Sequence, residues 1–390
     1  MKTIARKSLL AIAVASTLAG TAFAQTAPSV TLYGRLDMGL ESVNNGEFSK
    51  TMLQNYASRF GIKGDRSFSD DLSGIFQVET AFSPEDGKNE NRYKTASTGG
   101  KQVVLETNQT TGYLASRNSF VGLKSNSRGT VLFGNYDTPL KSLDGGGVAS
   151  TLWGEGDAME VVIHGKGTAT SLTKPADTTL TNTVTATTFA HVHTRQNNNL
   201  VYISPKFSDT VVKLSYSPDE AQTATNNQPL YSASIEWNNG TFNLGFASQN
   251  QALGTADYAM TANKLTLGAV MGKFSAGLVF STLDNQAAVA SNSRTTNNSM
   301  ITLGYTDAAW VYKFNYAMAS ESKSGAADDL TMTALEAGYI MDKATTLYVG
   351  YAQIMNNKNA RGTFTGADNF PNVNADKDPT ALTFGIRYNF

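Results

Sequence analysis

The chain ends in the run Thr380 to Phe390, Thr-Ala-Leu-Thr-Phe-Gly-Ile-Arg-Tyr-Asn-Phe, which alternates with period 2 up to a terminal aromatic. Leu382, Phe384, Ile386, Tyr388 and Phe390 share one face, and Thr383, Gly385, Arg387 and Asn389 share the other. A helix would spread these two sets around its circumference, because its side chains repeat every 3.6 residues. A segment of this length, apolar on one side and polar on the other, suits one crossing of a bilayer by a tilted β-barrel strand, which takes about 9 to 11 residues.

The other terminus agrees with export. Met1 to Ala24 carries Lys2, Arg6 and Lys7, an apolar stretch from Leu9 to Ala15 and the ending Ala22-Phe23-Ala24, the plan of a secretory leader. The expected division is a signal peptide over 1–24 and one barrel domain over 25–390, and the leader's apolar run is too short to span a membrane as a helix. Without the leader 28 basic residues face 32 acidic ones, a balance that gives no support for nucleic acid as a partner. The absence of cysteine removes disulfide scaffolds and thiolate metal sites. A mean hydropathy of −0.25 is compatible with a membrane barrel, because only every second residue of its strands meets lipid. A soluble β-sandwich shares this composition, so alternation and spacing must decide.

Alternation recurs along the chain. In Ser29 to Val43, Val30, Leu32, Leu36, Met38 and Leu40 oppose Thr31, Tyr33, Arg35, Asp37 and Glu41. Near Asn55 to Asp65, Tyr56, Phe60 and Ile62 oppose Arg59 and Lys63, and Trp310, Tyr312, Phe314, Tyr316 and Met318 oppose Lys313 and Asn315. Sixteen candidate strands follow, an even number as single-chain bacterial barrels require. Their connections alternate between short turns, such as Asn239-Gly240 and Asp342 to Thr345, and long loops. Short turns on one rim and long loops on the other mark an outer-membrane barrel, and a sandwich has no reason for them. The third long loop, 138–195, is far longer than ordinary connections, and its length suggests function. Its first part, with Gly145-Gly146-Gly147 and Trp153-Gly154-Glu155-Gly156-Asp157, is expected to fold into the barrel, and its Thr- and Ala-rich later part to be mobile or external.

Several segments resemble the Gram-negative general porins, in the branch typical of beta-proteobacteria. They are Ser29 to Asp37 (SVTLYGRLD), Ser58 to Gly64 (SRFGIKG), Arg117 to Leu123 (RNSFVGL), Gly129 to Leu140 (GTVLFGNYDTPL), Arg195 to Pro205 (RQNNNLVYISP) and the Phe390 terminus, in order across the mature chain. The resemblance implies a transmembrane antiparallel barrel of sixteen strands, association as a homotrimer in outer-membrane lipid, and a third loop folded into the lumen as a constriction. Its departure from the family pattern is the long stretch Val161 to His193.

A barrel of sixteen strands is too wide for its own side chains to fill, so its bore is wet and the expected cargo is small hydrophilic solutes and ions. The resemblance sets early-strand arginines opposite an acidic third loop. The basic wall is therefore expected to hold Arg35, Arg59, Lys63, Arg117 and Arg195, while Asp37, Glu41 and Glu79 are inward acids by parity and Asp144, Glu155, Asp157 and Glu160 are the loop's. Each has a plainer reading, as a wall-stiffening ion pair or a solvated surface charge. His191-Val192-His193 lacks the further ligands of a metal site, and Gly145 to Gly147 lacks the Lys-Ser/Thr ending of a phosphate loop. With His164, His191 and His193 all in one loop, no catalytic residue is assigned, nor any metal or cofactor. A sugar-selective channel using Tyr33, Tyr136 and Trp153, an adhesin and a barrel hydrolase are the rival readings.

Overall fold

Ser29–Asn44 (β1) bonds both to the segments that follow it and to the last, Thr380–Asn389 (β17), so the antiparallel ladder returns to its start and leaves no free edge. This closure is what a strand needs in lipid, where an unpaired backbone group has no water to turn to. The computed structural model describes residues 28–85, 114–145, 147–148, 153–165, 195–220, 222, 227, 229–252, 259–285, 293–365, 370–371 and 373–390. The expected leader 1–24, His191, His193 and most of the expected mobile stretch lie outside them. Between β1 and β17 run Ser49–Asn55 (β2), Arg59–Ser67 (β3), Leu72–Ala81 (β4), Ser119–Ser125 (β5), Gly129–Asp137 (β6), Arg195–Ile203 (β7), Thr210–Ser217 (β8), Leu230–Asn238 (β9), Phe242–Ala252 (β10), Ala259–Met271 (β11), Phe274–Asn285 (β12), Arg294–Asp307 (β13), Trp310–Ala319 (β14), Leu330–Ile340 (β15) and Thr345–Asn356 (β16).

These seventeen segments make sixteen staves, because β2 and β3 both pair with β1 and form one crossing interrupted by a bulge. Met38 opposes Asn55 while Arg35 opposes Arg59, so one extra residue enters on the β2–β3 side. Ala57 takes up the break with a left-handed φ of 60°. An odd insertion reverses parity. Tyr56, expected on the lipid face beside Phe60, is therefore turned inward and is 4% exposed. The fourth stave begins at Ser119, which leaves Arg117 just before the strand.

One face of each stave is lipid-exposed and the other is covered: Phe384 is 58% exposed and Thr383, one residue earlier, 2%. This division inverts toward the long-loop rim. On β11 the outward residues change from Leu267 and Leu265 to Asn263 and Thr261, while the inward ones change from Thr266 and Lys264 to Ala262 and Met260. β15 does the same, with outward Leu335 giving way to Thr333 and Thr331, and inward Glu336 to Ala334, Met332 and Leu330. The outer ends of these staves thus carry polar residues outside and an apolar core inside, as a strand does once it has left the bilayer. That core joins Met300, Met332 and Ile354 of the wall to Val161, Val162 and Ile163 of the third long loop and to Phe364, Phe370 and Val373 of the last. The inner wall is apolar here because the loops cover this part of it. Each fully buried side chain of this size contributes about 1.5 to 3 kcal/mol, enough to hold the loops down.

At the opposite rim the turns are short and locally satisfied. Asn239 Oδ1 accepts from the N–H groups of Thr241 and Phe242 at 3.0 and 2.8 Å, with Gly240 at φ 91°. Asp71 joins two neighbouring turns, accepting from Ser125 Oγ at 2.7 Å, Ser127 Oγ at 2.9 Å and Ser127 N at 2.9 Å. These hydrogen bonds hold its carboxyl below the usual carboxylate range. A depressed folded-state value adds stability above the unfolded value and loses it as pH falls through the folded one. Asp71→Ala should therefore lower the thermal midpoint in detergent at pH 7, and the difference from the unsubstituted protein should shrink on acidification below about pH 4. A pH-independent difference would mean that the carboxylate is not the source.

Candidate functional site

The third long loop is tied to the wall at successive points. Thr138 Oγ1 caps the short helix Pro139–Ser142 by accepting from Lys141 N at 3.2 Å, and proline at the first helical position has no N–H to leave unsatisfied. Leu140 N–H then donates to Ser232 Oγ of β9 at 3.1 Å, and Leu143 packs over Gly245 of β10. Thr302 Oγ1 of β13 donates to Val148 O at 2.7 Å, and Trp153 N–H donates to Glu336 Oε2 of β15 at 2.7 Å. The chain then turns back. Asn315 Nδ2 of β14 donates to Gly156 O at 3.4 Å, Ser281 Oγ of β12 to Ile163 O at 2.8 Å, and Lys264 Nζ of β11 lies 2.8 Å from His164 Nε2. Every wall partner belongs to the covered parity, opposite lipid-facing Phe280, Ile301, Tyr316 and Leu335. The described residues of 138–165 therefore lie inside the barrel against β9 to β17.

The wall left open by the loop, β1 to β7, carries the expected bases. Arg35 Nη2 donates to Tyr56 O and Ala57 O at 3.3 and 3.5 Å, holding the bulge, and its Nε lies 3.8 Å from Asp37. Asp37 is fully buried and accepts from Arg387 Nε at 2.7 Å and Nη2 at 2.6 Å and from the Tyr348 hydroxyl at 2.9 Å. Arg59 is the register partner of Arg35. Arg117 Nε donates to Glu79 Oε1 at 2.7 Å, Tyr33 OH to Glu79 Oε2 at 2.9 Å, and Lys63 Nζ stands 5.0 Å above the Tyr33 ring. Arg35 feels the charges of Arg59, Arg387 and Arg117 together, so these strands form one basic field. Arg195 forms a second centre: its Nη2 is 3.1 Å from Asp137, which also takes Lys141 Nζ at 2.8 Å, and its Nε donates to Asn118 Oδ1 at 2.8 Å. Burial lowers the Lys141 ammonium to about 8, with Asp137 opposing the shift.

The acids are divided. Glu41, fully buried, accepts from Tyr56 OH at 2.8 Å and Thr383 Oγ1 at 2.9 Å. Buried Glu155 projects its charge on Tyr56, while Asp157 accepts from Glu160 N–H at 2.9 Å and acts on Glu336. Asp144 and Glu160 act on Lys264, and Glu160 also on Lys141. Glu155 thus faces the early strands and Asp144 and Glu160 the later ones. Lys141, Asp137, Lys264 and the Lys213–Glu236 pair at 2.8 Å were missed by sequence reasoning. The four-residue spacing of Asp137 and Lys141 was a usable signal, whereas Lys264 and His164 are joined only by the fold. Among the described residues no group of three His, Cys, Asp or Glu side chains has the arrangement of a metal site.

Residues 10–359 match the family model described as Gram-negative porin. The chain is 24% identical over 406 residues to the major outer membrane protein P.IB of Neisseria lactamica, covering 99% of this chain and 100% of that one. An outer membrane porin protein of Bordetella pertussis is 28% identical over 177 residues, 35% of this chain and 46% of its own length. The anion-selective porin from Comamonas acidovorans superposes with a TM-score of 0.73 at 19% identity, over 93% of this chain and 100% of that one. Salmonella typhi OmpF does so with a TM-score of 0.61 at 14% identity, over 93% and 97%. At these identities the solved structures speak for the fold, and the family model speaks for descent. A closed sixteen-stave barrel with an inward third loop, over a chain matched for most of its length, belongs to the Gram-negative porin family and is an outer-membrane porin channel.

Proposed function

We propose that the passage lies between the β1–β7 wall and the third loop, and that it carries small hydrophilic solutes and ions passively with a preference for anions. The observation that carries this reading is the gathering of Arg35, Arg59, Arg117 and Arg387 about two carboxylates, Asp37 and Glu79. Excess fixed positive charge in a narrowed passage raises the local concentration of anions and is screened by salt. A solved relative of the same fold is described as anion-selective. Three copies associating through their lipid-facing surfaces fit the family, and Vibrio cholerae OmpT, a structural neighbour, is described in a trimer form. Residues 1–24 are read as the export leader, so the mature protein should begin at Gln25 on N-terminal sequencing.

Single-channel recording across a salt gradient tests the wall. Steps in groups of three and a reversal potential of anion-preferring sign are expected. Arg35→Gln combined with Arg59→Gln should move that potential toward zero, and raising the pH through about 8 should move it the same way as Lys141 loses its charge. A reversal potential unchanged in the double variant removes the assignment.

A further inference from the structure

Trp153 looks in the sequence like an aromatic available to passing solutes, but its ring is committed to the wall. It stacks on Tyr348 with ring centroids 5.6 Å apart and planes 16° from parallel. Two glycines clear the space for this pair: a Cβ at Gly338 would collide with the indole, and one at Gly385 with the Tyr348 ring. The loop backbone is fixed at the same point, since Trp153 N–H donates to Glu336 Oε2 at 2.7 Å and Gly154 lies against Thr383. On the far side of the stack the Tyr348 hydroxyl donates to Asp37 Oδ1 at 2.9 Å. Asp37 Oδ2 in turn takes Arg387 through Nε and Nη2 and lies 3.8 Å from Arg35 Nε. An unbroken line of contacts therefore runs from the constriction loop, through two rings and one carboxylate, to the guanidinium groups of Arg387 on β17 and Arg35 on β1.

Resting on the anion-preferring reading above, we propose that Trp153 is a positioning residue for the arginine wall, acting through Tyr348 and Asp37, so that one side chain sets both the width of the passage and the orientation of its charges. A buried charge-assisted hydrogen bond restrains the groups that make it. Tyr348 OH fixes one Asp37 oxygen and so directs the other at Arg387 and Arg35. The indole in turn prevents the Tyr348 ring from swinging into the bore. Width follows because residues 153–157 hold their distance from the wall only while the indole fills its slot over Gly338.

The two roles separate in three variants, each compared with the unsubstituted porin in planar bilayers after heat-modifiable migration has confirmed folding. Tyr348→Phe keeps the stack and removes only the hydroxyl. Its conductance should stay near that of the unsubstituted protein while the anion-to-cation permeability ratio changes by about twofold or more. Trp153→Ala should raise conductance and alter the ratio together, and Trp153→Phe should restore most of both. If Tyr348→Phe matches the unsubstituted channel in both quantities, the relay is wrong, whether or not Trp153→Ala folds. If Trp153→Ala folds with less stability but unaltered selectivity, Trp153 is a packing residue only and the proposal also fails. An unsubstituted channel without anion preference would instead sink the reading of the wall on which the relay rests.

Discussion

Asp37→Ala is expected to be among the most damaging single changes in the barrel wall, lowering the free energy of unfolding by about 3 to 5 kcal/mol, the usual cost of removing one partner from a buried ion pair. Asp37 is fully buried and stands opposite Arg387 in the register between the first and last strands, so the pair lies on the seam that closes the cylinder. Its removal leaves Arg387 and Arg35 facing each other without the carboxylate between them and releases the Tyr348 hydroxyl. Asp37→Asn keeps one acceptor oxygen and the side-chain volume, and should lose less. Equilibrium urea unfolding in detergent micelles, followed by tryptophan fluorescence, measures both. A loss below about 1 kcal/mol for Asp37→Ala would place the cluster with exposed salt bridges and deny it a part in closure.

A second large effect follows from the inversion of the two faces. Leu278 and Thr282 lie on the same outward face of β12, four residues apart, with Thr282 nearer the long-loop rim. At about 3.4 Å per residue along a tilted strand, Thr282 stands roughly 10 Å higher. Leu278→Lys should cost about 2 to 4 kcal/mol and Thr282→Lys about 0 to 1, because a cation is expensive only within the hydrocarbon layer. The same unfolding assay in lipid vesicles compares them. Equal costs would mean that the change from Leu278 and Phe280 to Thr282 and Asp284 does not mark the outer limit of the bilayer.

The inward placement of Arg35, Asp37 and Glu41 was legible because parity is a local property: once Leu32 is placed outward, they follow by counting. Counting fails wherever a residue is inserted. At Tyr56 to Ser58 the bulge reverses the parity, and only the pairing of both halves with β1 reveals it. Trp153 was legible as an aromatic in a long loop, but its partners are Glu336, Gly338 and Tyr348, nearly two hundred residues away. The apolar residues at the mouth were not legible for a related reason. Met332 and Ile354 occupy inward positions that parity assigns to water, and they are dry because loops from elsewhere in the chain cover them.

The period-2 alternation and the contrast of short turns with long loops by themselves determined that this chain closes as a sixteen-stave outer-membrane barrel. Alternation is set by backbone geometry within about ten residues and turn spacing is read directly along the chain, so both survive in a linear reading. Tertiary structure alone decided which carboxylate meets which guanidinium, where the third loop rests and how far the apolar band rises. Those outcomes depend on the register of strands distant in sequence and on burial created by the loops, and no local pattern carries either.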